Sequence, residues 1–214
     1  MAKVERLLIA FTGVDGSGKS TLAKTLLEHL VSENVDVEYL WWFSAEGSAL
    51  GKIVGSVVRR IESPFEERDA KPLKIALARR LYQYAVLADY LWRVWYSLAL
   101  GKNLVCDRYV YDIAVFFATE LHYSETRARR LSTVLRRVAP KPRVTFLVDV
   151  PAEIAMQRKH DIPSGAQHEE LRSLYRALTR GDTKVRYLDG SRSLEESNNT
   201  IWALVRDCVD ENYP

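Results

Sequence analysis

The sequence has little cysteine and little excess charge. Only Cys106 and Cys208 occur among 214 residues, too few for the disulfide framework of a small secreted domain, so we expect a reducing compartment, the cytoplasm. The net charge of +3 suits binding of nucleotides or other anions without requiring nucleic acid. The N-terminal residues lack the pattern of a signal peptide. With no repeat, linker or low-complexity tract, a single domain over residues 1–214 is predicted.

Long apolar runs are nearly absent. The longest candidate, residues 81–100, contains only two charges, Asp89 and Arg93. Each charge at the centre of a membrane span costs about 2.5–3.5 kcal/mol on insertion scales. The acid precedes the base by four residues, a spacing that favours an ion pair on one helix face. We therefore predict a long buried helix rather than a membrane span, and no membrane partner.

Short apolar runs alternate with stretches of helical periodicity along the whole chain. This alternation is typical of β–α–β crossovers and predicts an α/β fold with a five-stranded, mostly parallel sheet. Among the predicted helices are Leu50–Ile61, Leu73–Leu98 and Leu171–Leu178, and the predicted strands are Val4–Phe11, Val35–Trp42, Asn103–Cys106, Val144–Val150 and Val185–Leu188.

A glycine-rich segment follows the first predicted strand and precedes an amphipathic helix. Residues Gly13–Ser20 match G-x-x-x-x-G-K-[ST] in full, in the strand–loop–helix context that the motif requires. Its backbone N–H groups can close around an anion, and the helix directs its positive end at the phosphates. Lys19 is expected to reach the β- and γ-phosphates, and Ser20 to supply a hydroxyl ligand for Mg²⁺. The segment predicts binding of a nucleoside triphosphate by Gly13, Gly16, Ser17, Gly18, Lys19 and Ser20, without separating kinases from switches or motors.

An acid and a base stand at the end of the third predicted strand. Asp107 and Arg108 follow the apolar residues 104–106, and ligands of open α/β sheets collect at the carboxyl ends of the strands. Asp107 could hold the Mg²⁺ shell or accept a proton from an attacking hydroxyl. Arg108 could bind an acceptor phosphate through its planar fork. The alternative is a structural ion pair at a strand end.

Five segments together resemble the thymidylate kinase family, a branch of the nucleoside-monophosphate kinases. In the family's order they are GVDGSGKST, GSALG, LADY, CDRYVYD and FLVDVPAEIAMQRK. The resemblance implies a P-loop kinase fold, in which helices cover both faces of a five-stranded parallel sheet and a lid moves over the site. It also implies transfer of the γ-phosphoryl group of ATP to dTMP, with Mg²⁺ as cofactor.

On the donor side, the resemblance assigns three consecutive residues and one arginine. Lys19, Ser20 and Thr21 match the family's donor site. Arg158 matches the arginine that flanks the lid and approaches the donor adenine, which places the lid at about residues 158–170. A cation at this position can also neutralise charge on the migrating phosphoryl group. Pro163 and Gly165 predict an irregular, movable stretch within the lid.

On the acceptor side, the resemblance is only partial. Asp15 stands where the family's loop acid meets the acceptor sugar, and Asp107 and Arg108 match the acidic strand end and the phosphate-binding arginine. Val86 stands where an aromatic ring stacks on thymine, and Tyr90 where an arginine reads the base. Further departures are the segment Trp41–Glu46 in place of R-E-P-G-G, and Asp112, Ile113 and Phe117 in place of a serine-and-glutamine pattern.

A run of basic residues lies between positions 127 and 143. It allows a nucleic-acid patch, but a solvated helix face is the simpler interpretation, so nucleic acid is not expected as a partner. The run consists of Arg127, Arg129, Arg130, Arg136, Arg137, Lys141 and Arg143.

Taken together, the sequence predicts an ATP-dependent nucleoside-monophosphate kinase that uses dTMP weakly or accepts a broad range of bases. Lys19, Asp107, Arg108 and Arg158 are the predicted catalytic residues. The alternatives are a kinase of the same fold that acts on a nucleoside or polynucleotide hydroxyl, and a nucleotide-binding protein without transfer activity. The predicted partners are ATP and a nucleotide-like acceptor, and a homodimer is left open.

Overall fold

A computed structural model of the chain describes residues 6–41, 72–159 and 164–210. The chain divides into two compact units, one formed by Met1–Trp41 with Ser97–Pro214 and the other by Trp42–Tyr96. The predicted helix Leu50–Ile61, and Trp42 and Phe43, lie outside the described residues. The prediction of a single domain stays a prediction.

The first unit is built on the predicted five-stranded sheet, and every strand pair in it is parallel. The spatial order of the strands is β2-β3-β1-β4-β5. All five residues of the central strand β1 are buried, which explains its continuous apolar sequence. The strands are β1 Leu8–Thr12, β2 Val37–Trp41, β3 Asn103–Asp107, β4 Val144–Asp149 and β5 Val185–Asp189.

The strand order creates a crevice at the carboxyl ends of β1 and β3. The connection after β1 runs past β3 to β2, whereas the connection after β3 runs back past β1 to β4. Crossovers between parallel strands are right-handed as a rule, so two crossovers that run in opposite directions are expected to leave on opposite faces of the sheet. Such a reversal opens the place where ligands bind in α/β sheets. The register sets Phe11 beside Asp107, so the segments that follow the two strands lie next to each other.

Seven helices lie within the described part of the chain, and those of the first unit flank the sheet. Leu22, Leu26 and Leu30 repeat at helical spacing on the helix that follows β1, and they pack with Ile201 and Val205 in the main core. The helices are α1 Lys19–Ser32, α2 Pro72–Ala99, α3 Val110–Glu120, α4 Glu125–Val138, α5 Ala152–Arg158, α6 Gly165–Thr179 and α7 Leu194–Asp210.

The long helix α2 carries the ion pair that its sequence predicts. Arg93 Nε lies 3.2 Å from the Asp89 carboxylate, one helical turn away. The turn after the helix contains Gly101 at φ +87°, a left-handed conformation that glycine adopts without steric cost. No helix among the described residues is long and apolar enough to cross a membrane.

The predicted lid differs from the structure at its C-terminal part. The sequence predicts an irregular stretch at Gly165 and a helix only over Leu171–Leu178, but helix α6 begins at Gly165 and continues to Thr179. This part of the prediction is wrong because a contact distant in sequence holds the first turn of α6. The buried His168 has its Nε2 3.4 Å from the Val150 carbonyl oxygen. Within the predicted part, Arg172 donates to Asp149 at the end of β4, 2.6 Å away, and Tyr175 OH donates to Asp112 on α3, 2.9 Å away. Residues 160–163 of the predicted lid lie outside the described residues.

Candidate active site

The glycine-rich segment forms a tight loop between β1 and α1. Gly13, Gly16 and Gly18 all have positive φ, at 139°, 77° and 90°, which L side chains rarely adopt. A Cβ atom on Gly13 would lie only 2.3 Å from the backbone oxygen of Val148 on β4. Glycine at position 13 is therefore required by the neighbouring strand as well as by the turn.

Lys19 is the first residue of α1 and lies almost fully buried in the loop. Its ammonium group donates to the Val14 carbonyl oxygen at 3.0 Å and to Asp15 Oδ1 at 3.4 Å. Burial and the neighbouring Arg108 lower the pKa of Lys19, and Asp15 opposes this shift. Lys19 is therefore paired with loop atoms, and its role as a counter-charge for phosphate stays a prediction.

Asp107 ends β3 and is 1% exposed. Its Oδ2 accepts a hydrogen bond from Tyr39 OH at 2.8 Å, while its Oδ1 is buried and has no hydrogen-bond partner among the described residues. Buried carboxylate oxygens are normally paired, so this atom is free to receive a cation, a water or a donor from a ligand. Sequence reasoning missed Tyr39, which reaches Asp107 because β2 and β3 are adjacent.

A hard cation such as Mg²⁺, which prefers oxygen ligands, fits the Asp107 carboxylate. Within the described residues, no group of three or more His, Cys, Asp or Glu side chains could hold a metal by itself. Mg²⁺ is held in another way in phosphoryl-transfer sites, by one or two protein ligands together with substrate phosphates. Ser20 and Asp107 line the same cavity, so the oxygen donors present fit Mg²⁺.

Arg108 follows Asp107 at a strained position, with φ +77°. Its Nη2 donates to Asp15 Oδ1, and its Nη1 lies 3.4 Å from Asp112 Oδ1. Asp112 is itself fixed, because it accepts from the Tyr109 backbone N–H at 3.0 Å and from Tyr175 OH. The departure from the family pattern at Asp112 thus provides a buried anchor for the Arg108 guanidinium.

Asp15 is the point at which the cations of the site meet. Besides Lys19 and Arg108, Lys159 Nζ lies 3.5 Å from its Oδ2. Burial raises the pKa of Asp15, but the three neighbouring cations outweigh this effect and hold the pKa well below its usual range. The carboxylate is therefore ionised at neutral pH. It lies among Lys19, Arg108 and Lys159, where an anionic ligand would bind.

One cavity of about 400 Å³ connects these groups. Lys159, which the sequence did not single out as a site residue, reaches this cavity, and Trp41 at the end of β2 also lines it. Phosphate-loop residues and the residues after β3 face each other across it. Its lining includes Asp15, Gly16, Gly18, Lys19, Ser20, Thr21, Tyr39, Trp41, Asp107, Arg108 and Lys159.

Arg158 lies on the other side of the phosphate loop. Its Nη1 donates to the Gly190 carbonyl oxygen at 2.7 Å, in a second cavity of about 200 Å³ that Ser17, Gly18 and Arg192 also line. The structure thus places Arg158 beside the loop, and Lys159 in the larger cavity.

Two predicted acceptor residues belong to the second compact unit. Val86 and Tyr90 lie one turn apart on α2; Val86 is half-buried and Tyr90 is buried. Their contact with an acceptor base stays a prediction.

Comparison with known proteins agrees with this arrangement. The family model described as "Thymidylate kinase" matches residues 11–201. A thymidylate kinase of Ligilactobacillus salivarius is 26% identical over 206 residues, covering 90% of this chain and 94% of its own length. A thymidylate kinase of Symbiobacterium thermophilum is 27% identical, with 97% and 96% covered, and a probable thymidylate kinase of Archaeoglobus fulgidus is 30% identical, with 95% and 97% covered. With a family model that spans most of its length, and a phosphate loop facing an aspartate–arginine pair, this chain belongs to the thymidylate kinase family.

Proposed function

We propose that the protein transfers the γ-phosphoryl group of ATP to a nucleoside monophosphate, converting dTMP and ATP into dTDP and ADP. The observation that carries this proposal is the single cavity in which the phosphate loop faces Asp107 and Arg108. A donor triphosphate on the loop and an acceptor phosphate at Arg108 would meet there. The names of the relatives support dTMP as the acceptor.

On the donor side, the loop N–H groups and Lys19 bind the triphosphate. Lys19 exchanges its contact with the Val14 carbonyl oxygen for phosphate oxygens, which carry full negative charge and form stronger hydrogen bonds. Ser20 and Asp107 would hold Mg²⁺, which supplies charge neutralisation on the phosphates when bound. Arg158, next to Gly18, adds positive charge on the donor side.

On the acceptor side, Arg108 and Lys159 bind the monophosphate. Both cations contact Asp15, so the acceptor phosphate competes with the Asp15 carboxylate for Arg108 and Lys159. Once displaced, the Asp15 carboxylate is available to the acceptor sugar. Asp112 keeps the guanidinium of Arg108 in place during this exchange. An acceptor phosphate needs no strong base, so positioning of the two substrates supplies most of the catalysis.

A second candidate function is phosphorylation of a hydroxyl group. The unpartnered, buried Oδ1 of Asp107 favours it, because a carboxylate oxygen so placed can accept a proton from an attacking hydroxyl. The two functions respond differently to substitution. A phosphate acceptor makes Arg108→Lys the more damaging change, because lysine loses the planar fork, whereas a hydroxyl acceptor makes Asp107→Asn the more damaging one.

The deciding experiment is an ATP-consumption screen across nucleoside monophosphates, nucleosides and short oligonucleotides. It is followed by steady-state kinetics on dTMP, dUMP, dCMP and dGMP with wild type, Arg108→Lys and Asp107→Asn. We expect turnover of monophosphates with a preference for dTMP of less than about 100-fold over dUMP, because an apolar residue at Val86 discriminates by only about 1–3 kcal/mol. A preference of a thousandfold or more would contradict the roles assigned to Val86 and Tyr90. Turnover of hydroxyl acceptors alone would replace the proposed function with the second candidate.

Two further properties belong to this proposal. The cytoplasm is the proposed location, since Cys106 and Cys208, the two cysteines of the sequence, form no disulfide and ATP and nucleoside monophosphates are cytoplasmic substrates. A homodimer stays a prediction, which light scattering on the purified protein would test.

A further inference from the structure

A second large cavity lies away from the phosphate loop. It has a volume of about 420 Å³ and shares no lining residue with the two cavities at the loop. It is bounded by the start of α3, the end of α4 and the segments that lead into β4 and β5. Thr145 and Lys184 lie at the amino ends of these two strands, whereas the phosphate loop lies at the carboxyl edge of the sheet. The proposed kinase reaction makes no use of this cavity.

The floor of the cavity is buried and held by hydrogen bonds. Tyr109 OH donates to the Pro140 carbonyl oxygen at 2.7 Å, and Tyr111 OH donates to Asp182 Oδ2 at 2.6 Å. Thr145 also belongs to the floor and is 4% exposed. A hydroxyl group can both donate and accept a hydrogen bond, so Thr145 offers a neutral polar contact to a ligand that reaches the floor.

The rim of the cavity is cationic. Its lining contains four basic residues but only one acid, Asp182. That acid is already paired, because Arg136 Nη2 lies 2.9 Å from its carboxylate. No ion pair involves Arg137, Lys141 or Lys184 within residues 6–41, 72–159 and 164–210. Three positive charges around one concave surface repel one another until an anion neutralises them.

We propose that this cavity, which we call the basic cavity, binds a small phosphorylated anion that carries two or more negative charges. Its volume lies within the range typical of small-molecule sites. Lysine and arginine on the rim would contact the phosphate oxygens, and the Thr145 hydroxyl would supply the one neutral contact at the floor. The proposal does not depend on the kinase function.

The structure favours a small anion over nucleic acid. A nucleic-acid backbone needs cations along an extended track, but the basic run of helix α4 does not provide one. Arg129 pairs with Glu125 at 2.8 Å and Arg136 with Asp182, so both are neutralised within the protein. The remaining cations of the run that line a cavity, Arg137 and Lys141, converge on a concave surface instead.

The test uses inorganic pyrophosphate as the probe in isothermal titration calorimetry, in magnesium-free buffer with the phosphate loop saturated by a non-hydrolysable ATP analogue and the acceptor side saturated by dTMP. We expect one remaining pyrophosphate site in the wild-type protein. Arg137→Ala/Lys184→Ala should weaken it by about tenfold or more, since two charge-assisted contacts are lost. The control Arg130→Ala/Arg206→Ala removes two exposed cations elsewhere and should change the dissociation constant less than about twofold.

A third variant tests the floor of the basic cavity. Thr145→Val removes the hydroxyl of the floor at nearly constant volume, so it should weaken pyrophosphate binding several-fold without lowering the melting temperature. Absence of a pyrophosphate site in the wild-type protein would overturn the proposal, and so would equal losses in the two double variants. Tighter binding of a 12-nucleotide single strand than of pyrophosphate, lost in Arg137→Ala/Lys184→Ala, would replace the small anion by nucleic acid.

Discussion

The two sides of the proposed active site are built in different ways. The donor side is built mainly on one continuous segment, Gly13–Thr21, whose conformation is set by its own glycines and by the start of α1, with Arg158 beside it. The acceptor side shares Asp15 with that segment and adds Tyr39, Arg108 and Lys159 from three other segments of the chain. A continuous motif can be recognised from sequence alone, whereas an assembled site depends on which strands are neighbours.

The two sides also differ in how their charges are balanced. Lys19 on the donor side is held mainly by a backbone carbonyl, which a phosphate can replace with little rearrangement. On the acceptor side, Arg108 and Lys159 already contact Asp15, so a ligand must displace a carboxylate. The donor side is thus prepared for its ligand, and the acceptor side exchanges partners upon binding. Four predictions test this contrast, beginning with the largest expected effect.

Removal of the donor cation should have the largest effect on activity. Lys19→Ala should lower kcat by about a thousandfold or more, because a preorganised charge at the phosphates is lost. The fold should persist, since the side chain contributes nothing to the apolar core. Coupled-assay kinetics and thermal unfolding measure the two effects. Arg206→Ala, at an exposed position of α7, is the control and should lose less than about tenfold; comparable losses would contradict the role of Lys19.

The donor loop should also be intolerant of a methyl group at one glycine. Gly13→Ala would place a Cβ atom against the Val148 backbone oxygen, so unfolding free energy should fall by about 3 kcal/mol or more. Gly181→Ala is a matched control, because Gly181 has φ +81° and no atom within 4 Å of the added Cβ. Gly181→Ala should lower the unfolding free energy by only about 1–2 kcal/mol, because of backbone strain. Chemical denaturation measures the unfolding free energy of both variants. If Gly181→Ala loses as much unfolding free energy as Gly13→Ala, backbone strain alone explains the effect and the contact with Val148 does not contribute.

On the acceptor side, loss of a single hydroxyl should have a moderate effect. Tyr39→Phe removes the hydrogen bond to Asp107 Oδ2 and should lower kcat by about three- to tenfold, since a typical protein hydrogen bond contributes about 1 kcal/mol. It should also raise the Mg²⁺ concentration needed for half-maximal activity, because Asp107 is less well oriented. Tyr96→Phe, at an exposed position, should change neither quantity. An unchanged Mg²⁺ requirement in Tyr39→Phe would show that Tyr39 does not position Asp107.

The smallest effect concerns the dependence of stability on pH. The pKa of Asp15 lies below its usual value, so its ionised form stabilises the folded state. That contribution is complete above about pH 4, the pKa of an unperturbed aspartate, and is lost as the pH falls further. Asp15→Asn should therefore lower the melting temperature at pH 7, with a difference from wild type that shrinks below about pH 4. The exposed Asp207→Asn is the control. A difference that is constant from pH 7 to pH 3 would contradict the charge network around Asp15.

Much of the fold could be predicted because it follows from local patterns. The five strands and their parallel arrangement follow from apolar runs that alternate with helical periodicity, and the Asp89–Arg93 pair follows from its spacing. The start of α6 at Gly165 could not be predicted in this way, because the buried His168 in its first turn contacts Val150, which lies 18 residues earlier in the chain.

The missed site residues have similar explanations. Tyr39 lies in a strand whose sequence, VEYLW, gives no indication of function, and it contacts Asp107 only because β2 is the neighbour of β3. The link between Arg108 and Asp112 is not covered by the spacing rule for helices, because Arg108 precedes α3 and has φ +77°. Lys159 follows Arg158 directly, and sequence alone does not decide which of the two enters the larger cavity.

The sequence by itself determined the phosphate loop, the α/β class and the donor side of the site. These features depend on backbone conformations and periodicities that extend over a few consecutive residues. Only the tertiary structure decided that Tyr39, Arg108 and Lys159 share one cavity with Asp15, and that Arg137, Lys141 and Lys184 surround another. Contacts of this kind depend on strand order and register, and the pattern within one strand specifies neither its neighbour nor its alignment.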